Sequence, residues 1–270
     1  MKAFTIPFSV VLMLSLNCVR ADDEVIKKKG ICLGGGAESQ KRIEALNVGW
    51  HYNWTPTWKG KKIKDTPFVP MIWANNQWST PALKDLRVAK SKADESPLLG
   101  LNEPDGKEQA NMSVAAALAF WPELEKTNRR LGSPATVHPD NEWMKSFIKG
   151  ADEKGYRVDF ICIHWYGQND ADKFIERLEA IHKLYDKPIW ITEFAIADWS
   201  AKSSKDIEHR PQDVLTFMKL VLPKLEKLDF VERYAWFHAP PNHPKLGASA
   251  LFDAKGELTE LGKFYSSFGE

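Results

Sequence analysis

Asp159-Phe160-Ile161-Cys162-Ile163-His164-Trp165, then Phe174, Leu178, Ile181 and Leu184, then Pro188-Ile189-Trp190-Ile191-Thr192, reads as strand, helix, strand. The two flanking runs are short, apolar and rich in β-branched residues. The middle one repeats its apolar residues at three- and four-residue steps, the period of one helix face. Such a crossover joins parallel strands. The same alternation extends outward in both directions. Apolar runs of strand length occupy 30–34, 48–54, 68–73, 98–102 and 130–135 before this unit, and 232–237 after it. Val214, Phe217, Met218, Val221, Leu222 and Leu225 form the helix face leading to that last strand, and Leu258, Leu261, Phe264 and Phe268 a closing helix. Eight strands, each followed by a helix or helix-like segment, predict an α/β fold of the (β/α)8 TIM-barrel type in a single domain. A doubly wound open sheet is the alternative, but the glycines at 34–36 lack the G-x-G-x-x-G spacing that such sheets use for nucleotides.

A chain of 270 residues is long enough for one sizeable core. Its formal charge of +1 supplies no field to attract nucleic acid or an anionic membrane. The basic clusters Lys27-Lys28-Lys29 and 59–64 therefore read as solvated surface. Lys2, the apolar run 8–16 and the small residue ending Val19-Arg20-Ala21 have the layout of a signal peptide. Cleavage after Ala21 is expected, leaving 22–270 as the domain of a secreted or periplasmic protein. Ser15-Leu16-Asn17-Cys18 faintly resembles a lipoprotein box, with Asn17 where a small residue belongs, so lipid anchoring is the lesser expectation. With Cys18 removed, Cys32 and Cys162 remain, each inside an apolar strand-like run, and both are expected as buried free thiols. No spacing of Cys or His suggests a metal site. A monomer is the default for such a chain.

In a TIM barrel the chemistry sits at the C-terminal ends of the strands. The fourth predicted strand ends Gly100-Leu101-Asn102-Glu103-Pro104, where Pro104 removes a backbone donor and biases Glu103 away from the helical region. The seventh ends Ile189-Trp190-Ile191-Thr192-Glu193. Simple alternation places Ile189, Ile191 and Glu193 on one inward face, and a carboxylate there is costly without partners or a function. The sixth strand carries His164 and Tyr166 on one face, beside Glu193 in the neighbouring strand. Trp236 ends the eighth strand, placed to floor a binding site. Trp50, His51, Asn53 and Trp54 after the second strand, with Trp73 and Asn75 after the third, add aromatic and amide groups to the same rim. Eleven tryptophans are a heavy load for this length; flat rings serve sugar binding as well as core packing.

Gly-Leu-Asn-Glu-Pro-Asp at 100–105, Ile-His-Trp-Tyr-Gly at 163–167 and Trp-Ile-Thr-Glu-Phe-Ala at 190–195 resemble the motifs of clan A glycoside hydrolases. More narrowly, the chain resembles glycoside hydrolase family 128, whose domain is shared with alkali-sensitive-linkage-type fungal wall proteins. The likeness spans nearly the whole mature chain, Trp-His-Tyr-Asn-Trp at 50–54 included. It implies a retaining endo-β-1,3-glucanase with Glu103 as acid/base and Glu193 as nucleophile. It further implies that Asn102 contacts the sugar 2-hydroxyl, that Tyr166 orients Glu193, and that no metal or organic cofactor is required. A β-1,4-glucanase or mannanase of the same clan, or a non-catalytic carbohydrate-binding wall protein, remain the alternatives. Binding alone would not require both glutamates.

Overall fold

The computed structural model describes residues 28–87 and 96–269. The leader at 1–21 and Cys18 lie outside them. Five strands form one parallel sheet: β1 (Lys29–Cys32), β2 (Trp50–Tyr52), β3 (Ile161–Trp165), β4 (Ile189–Phe194) and β5 (Val231–Phe237), in the order β2-β1-β5-β4-β3. Three extended segments, 68–71, 98–102 and 131–135, close the gap between β2 and β3 through parallel bridges. These link His51 to Phe68, Met71 to Leu99, Leu98 to Leu131, Asn102 to Ala135 and Gly132 to Phe160. The Val69 N–H donates to the His51 carbonyl (2.9 Å), Leu99 to Pro70 (2.9 Å), Gly132 to Leu98 (2.9 Å) and Ser133 to Phe160 (2.9 Å). The ring is complete, and the chain is a (β/α)8 TIM barrel in a single domain.

These three segments pair only in patches because of their composition. Pro70 and Pro134 have no N–H to give to a ladder. Gly100 lets the neighbouring backbone and Gly132 the barrel side chains approach so closely that a Cβ at Gly132 would lie 2.5 Å from the Cys162 sulfur, and one at Gly100 2.8 Å from the Gly132 carbonyl oxygen. Outside the ring run α1 (Ala37–Ala45), α2 (Leu83–Leu86), α3 (Val114–Glu125), α4 (Glu142–Glu153), α5 (Ala171–Tyr185), α6 (Pro211–Lys227) and α7 (Glu260–Ser267). Ser113, Asn141, Asp170 and Thr259 cap α3, α4, α5 and α7 with their side-chain oxygens.

The alternation of each strand separates two apolar layers. Inward side chains such as Cys32, Trp50, Val69, Phe160, Cys162 and Trp190 fill the barrel. Outward ones such as Ile31, Ile161, Ile191 and Trp236 pack beneath the helices. Cys32 and Cys162 are buried free thiols. Arg233 plugs the lower end, its guanidinium 4.3 Å from the Trp190 ring centre and 5.5 Å from that of Trp50; burial draws its pKa down to about 10.

The basic clusters divide. Lys59, Lys61, Lys62 and Lys64 are exposed, as a solvated surface requires. Lys28 and Lys29 instead cap helices. The Lys28 ammonium donates to the Glu226 and Leu228 carbonyls (3.0 Å each) at the end of α6, and Lys29 to those of Tyr265 (2.6 Å) and Phe268 (2.6 Å) at the end of α7. The reason is topological: a first strand inserted beside the last helices meets their unsatisfied carbonyls.

Candidate active site

Glu193 reaches the cleft by a route that simple alternation does not give. Ile189 and Ile191 face outward into the helix-covered layer, and Trp190 faces the barrel axis. On β3, Ile163 pairs with Ile191 and His164 with Glu193, so Thr192 is one residue extra. The same surplus appears against β5, where Ile191 pairs with Tyr234 and Phe194 with Trp236. This bulge reverses the parity and turns Glu193 inward. The Thr192 hydroxyl donates to the Ile163 carbonyl at 3.2 Å, satisfying an acceptor at the irregularity.

Three side chains hold the Glu193 carboxylate, which is 5% exposed. Oε1 accepts from the Trp54 indole (2.6 Å) and the Tyr52 hydroxyl (3.1 Å), and Oε2 accepts from the Tyr166 hydroxyl. Burial, and then the charge of Glu193, push both phenols well above the ordinary tyrosine range, so they remain donors. A buried carboxylate requires such partners.

Glu103 comes from the opposite side of the barrel. Its N–H donates to the Ala135 carbonyl (2.6 Å), and its own carbonyl accepts from Gly106 (2.9 Å). The residue has φ of 38°, in the left-handed region rather than in the extended backbone that a following proline favours. Trp54, at φ of 60°, is the other cleft residue in that region. Such backbone costs about 1–3 kcal/mol and persists where its surroundings impose it, commonly at functional sites. Asp105 helps impose it, accepting from the Val137 N–H (3.0 Å) and from the Asn141 amide (2.7 Å).

His164 joins the two carboxylates. Its Nδ1 lies 2.9 Å from Glu103 Oε1, and its Nε2 lies 3.4 Å from Glu193 Oε1 without making a hydrogen bond. Burial lowers a histidine: alone it brings His51 to about 4, and with the nearby Arg42 charge it brings His238 to about 4. In His164 burial works the same way, but the charge of Glu193, the hydrogen bond and charge of Glu103, and Asp105 behind them outweigh it and raise the pKa. Asn102 completes the group. Its amide nitrogen donates to Gln109 Oε1 (3.2 Å), which leaves its buried Oδ1 without a partner.

These residues line a cleft of about 880 Å³, together with Trp73, Tyr166, Trp199, Phe237 and Arg177. Trp54 and Trp73 also border a second cavity of about 1090 Å³, with Asn53, Trp58, Asn76 and Trp78. The expected residues Asn102, Glu103, Glu193, His164, Tyr166, Trp54 and Trp73 thus meet in one place. Three expectations need correction. Trp236 is fully buried, packed on Phe194 (ring centres 4.9 Å apart) and bonded to the Ser249 carbonyl. It alternates outward, and Phe237 enters the cleft in its place. Trp50 is buried inside the barrel, and His51 packs outward on Trp58. Asn75 is exposed, accepts from Thr80 and borders neither cavity; its neighbour Asn76 borders the second. Tyr52, Gln109, Arg177 and Trp199 were not anticipated. Only Tyr52 carried a signal, being two residues before Trp54 on the same strand face.

A cleft with stacking faces along its walls and two carboxylates across its floor suits the bond between uncharged sugars, and at the C-terminal mouth of this barrel it defines a glycoside hydrolase. Residues 30–265 match the family model described as glycosyl hydrolase catalytic core. The chain belongs to that family and, within it, to glycoside hydrolase family 128. A subgroup I endo-β-1,3-glucanase from Amycolatopsis mediterranei, crystallised with laminarihexaose, is 32% identical, with 89% of this chain and 99% of that one covered at a TM-score of 0.76. A subgroup V exo-β-1,3-glucanase from Cryptococcus neoformans is 28% identical, with 88% and 98% covered and a TM-score of 0.69. Alkali-sensitive linkage protein 1 of Schizosaccharomyces pombe is 28% identical over 89% of this chain, which spans only 44% of that relative's length.

Proposed function

We propose that the chain is a secreted, monomeric, retaining endo-β-1,3-glucanase in which Glu193 is the nucleophile and Glu103 the acid/base. The observation that carries this reading is the pair of glutamates held against one buried imidazole, His164, within the cleft. Retaining hydrolysis needs carboxyls about 5–5.5 Å apart, one to protonate the leaving oxygen and one to attack C1. Glu103 receives the proton it delivers along its hydrogen bond to His164 Nδ1. Glu193, oriented by Tyr166, Tyr52 and Trp54, attacks from the opposite face and forms a glycosyl ester. Water then enters, gives its proton to Glu103 and releases the sugar with its original configuration. Asn102 Oδ1, fixed by Gln109, accepts from the 2-hydroxyl of the sugar being transferred. These steps use side chains alone.

Endo action is supported by the second cavity, which continues the cleft beyond Trp54 and Trp73 and gives a polymer room on both sides of the carboxylates. A β-1,3 linkage is supported by the activities of the two solved relatives. The test is a product profile on curdlan, laminarin, barley mixed-linkage glucan and mannan, with the anomer of the first product read by proton NMR. Expected are internal cleavage of the β-1,3 polymers and a β product. Preference for mannan, or an α product, would remove the substrate or the mechanism respectively.

A further inference from the structure

The loop after β2, residues 56–64, carries Lys59, Lys61, Lys62 and Lys64, all exposed. Exposure is ordinary for lysine, but on this molecule the lack of acidic company is not. On the helices several lysines stand one turn from a carboxylate, as Lys126 does from Glu123 (2.6 Å), Lys145 from Glu142 (2.8 Å) and Lys263 from Glu260 (2.7 Å). In the loop, among the described residues, only Lys64 forms an ion pair, with Asp65 at 3.9 Å, and both side chains are largely exposed. The neighbouring helix α1 offers no relief. Its Glu38 pairs with Lys41, and its Glu44 accepts from Gln40. Four like charges within six residues repel one another, and one exposed pair offsets little of that.

These lysines do not ride on loose chain. The Trp58 ring packs on His51 and Phe68, with centres 4.7 and 6.1 Å apart, and its indole N–H donates to the Lys61 carbonyl (2.9 Å). The Lys61 N–H donates to Gln40 Oε1 (3.1 Å), and Ile63, between Lys62 and Lys64, is buried in the core. Just beyond, the Thr66 hydroxyl donates to the Val48 carbonyl (2.9 Å). The ammonium groups are thus displayed from a fixed backbone, which lowers the ordering cost of binding.

The same loop walls the second cavity through Trp58, Lys59 and Gly60, and Trp78, 78% exposed, borders that cavity too. An open indole face beside a row of cations fits a polymer of rings that bears negative charge. Single-stranded nucleic acid and acidic polysaccharide both have that character. The second is favoured, because the cavity shares Trp54 and Trp73 with a glycoside hydrolase cleft and the net charge of +1 supplies no general field for nucleic acid. We propose that the 56–64 loop is a docking surface for an anionic polysaccharide. It holds the enzyme, without chemistry, beside material in which neutral and charged chains are mixed.

The test is affinity electrophoresis of the folded protein through gels containing alginate, which bears carboxylates, or dextran sulfate, which bears sulfate esters. Neutral dextran and single-stranded oligothymidylate are the controls. The wild type is retarded by at least one charged polysaccharide at about 50 mM salt and released at about 0.5 M, where the Debye length falls below about 5 Å; the gel that retards it names the anionic group. Changing Lys61, Lys62 and Lys64 together to Glu, at positions that line neither cavity, weakens retardation about tenfold or more and leaves hydrolysis of neutral laminarin unchanged. Trp78→Ala falls between. Thermal unfolding checks that both variants are folded. No retardation in either charged gel overturns the docking surface, and retardation unchanged in the triple variant overturns the role of this loop. Equal or stronger retardation by oligothymidylate overturns the polysaccharide as partner in favour of nucleic acid. Because retardation is read without turnover, failure to cleave laminarin bears on the hydrolase reading alone.

Discussion

At Glu193 the donors from Tyr166, Tyr52 and Trp54 occupy both carboxylate oxygens, so the side chain is aimed rather than free. Glu193→Ala is expected to abolish turnover of laminarin with an unchanged unfolding midpoint, and added azide to restore cleavage with an α-glycosyl azide as product; a variant as active as wild type would remove it as nucleophile. Glu103→Ala is expected to slow hydrolysis of natural glucan by about 10²–10⁴-fold and to spare aryl glycosides with good leaving groups, read by kcat on both substrates. An equal loss on both would argue against acid catalysis. His164 is the third residue of the set, and its pKa is raised above the ordinary 6.5. A histidine raised by folding contributes stability that is complete below its unfolded pKa and is lost as pH rises through the folded value. The ring resonances of His164 should therefore titrate above 6.5 by NMR, and Glu193→Gln, which removes the largest raising charge, should bring the midpoint down. A midpoint below 6.5 in the wild type would mean that burial wins over the carboxylates.

Among the elements, the β4 bulge and the segment after β4 do most to shape the cleft. The bulge at Thr192 costs a ladder position and gains an inward carboxylate, a use of irregularity common beside active sites. Beyond it, Asp198 organises the segment that presents Trp199. The Ser200 hydroxyl and the Glu208 N–H, with further backbone N–H groups, lower its pKa to about 2. A depressed carboxyl contributes order that is present above its unfolded pKa near 3.8 and is lost as pH falls toward 2. Acid titration should thus alter the tryptophan fluorescence between these limits, and Asp198→Asn should shift the change or abolish it. A wild-type signal flat across that window would show that Asp198 does not hold the segment.

For the molecule as a whole, a closed barrel must join its first strand to its last elements. Here the seam is polar as well as apolar. Lys29 reaches the carbonyls of Tyr265, Ser266 and Phe268, and the Tyr265 hydroxyl donates to the Gly30 carbonyl at 2.6 Å. Removing the ammonium leaves buried carbonyls unpaired. Lys29→Met is expected to cost about 1.5–3 kcal/mol, lowering the midpoint of thermal unfolding by roughly 4–10 °C. An unchanged midpoint would mean that water replaces the cap. Among the described residues no helix is long and apolar enough to cross a membrane.

The alternation of apolar runs and helical periods determined the barrel, because strand and helix periods are local and each buried face leaves its mark in the chain. It also determined that Glu103 and Glu193 end strands and that His164 and Tyr166 share a face. Tertiary structure decided the rest. Parity inside a barrel depends on bulges and register, which are set by neighbouring strands, so Trp236 goes to the helix layer, Phe237 to the cleft, and Glu193 inward by an extra residue. Gln109, Arg177 and Trp199 lie on loops or outer helices whose approach to the site is fixed only when the ring closes. Lys28 and Lys29 resemble surface lysines until that closure brings two helix ends within their reach.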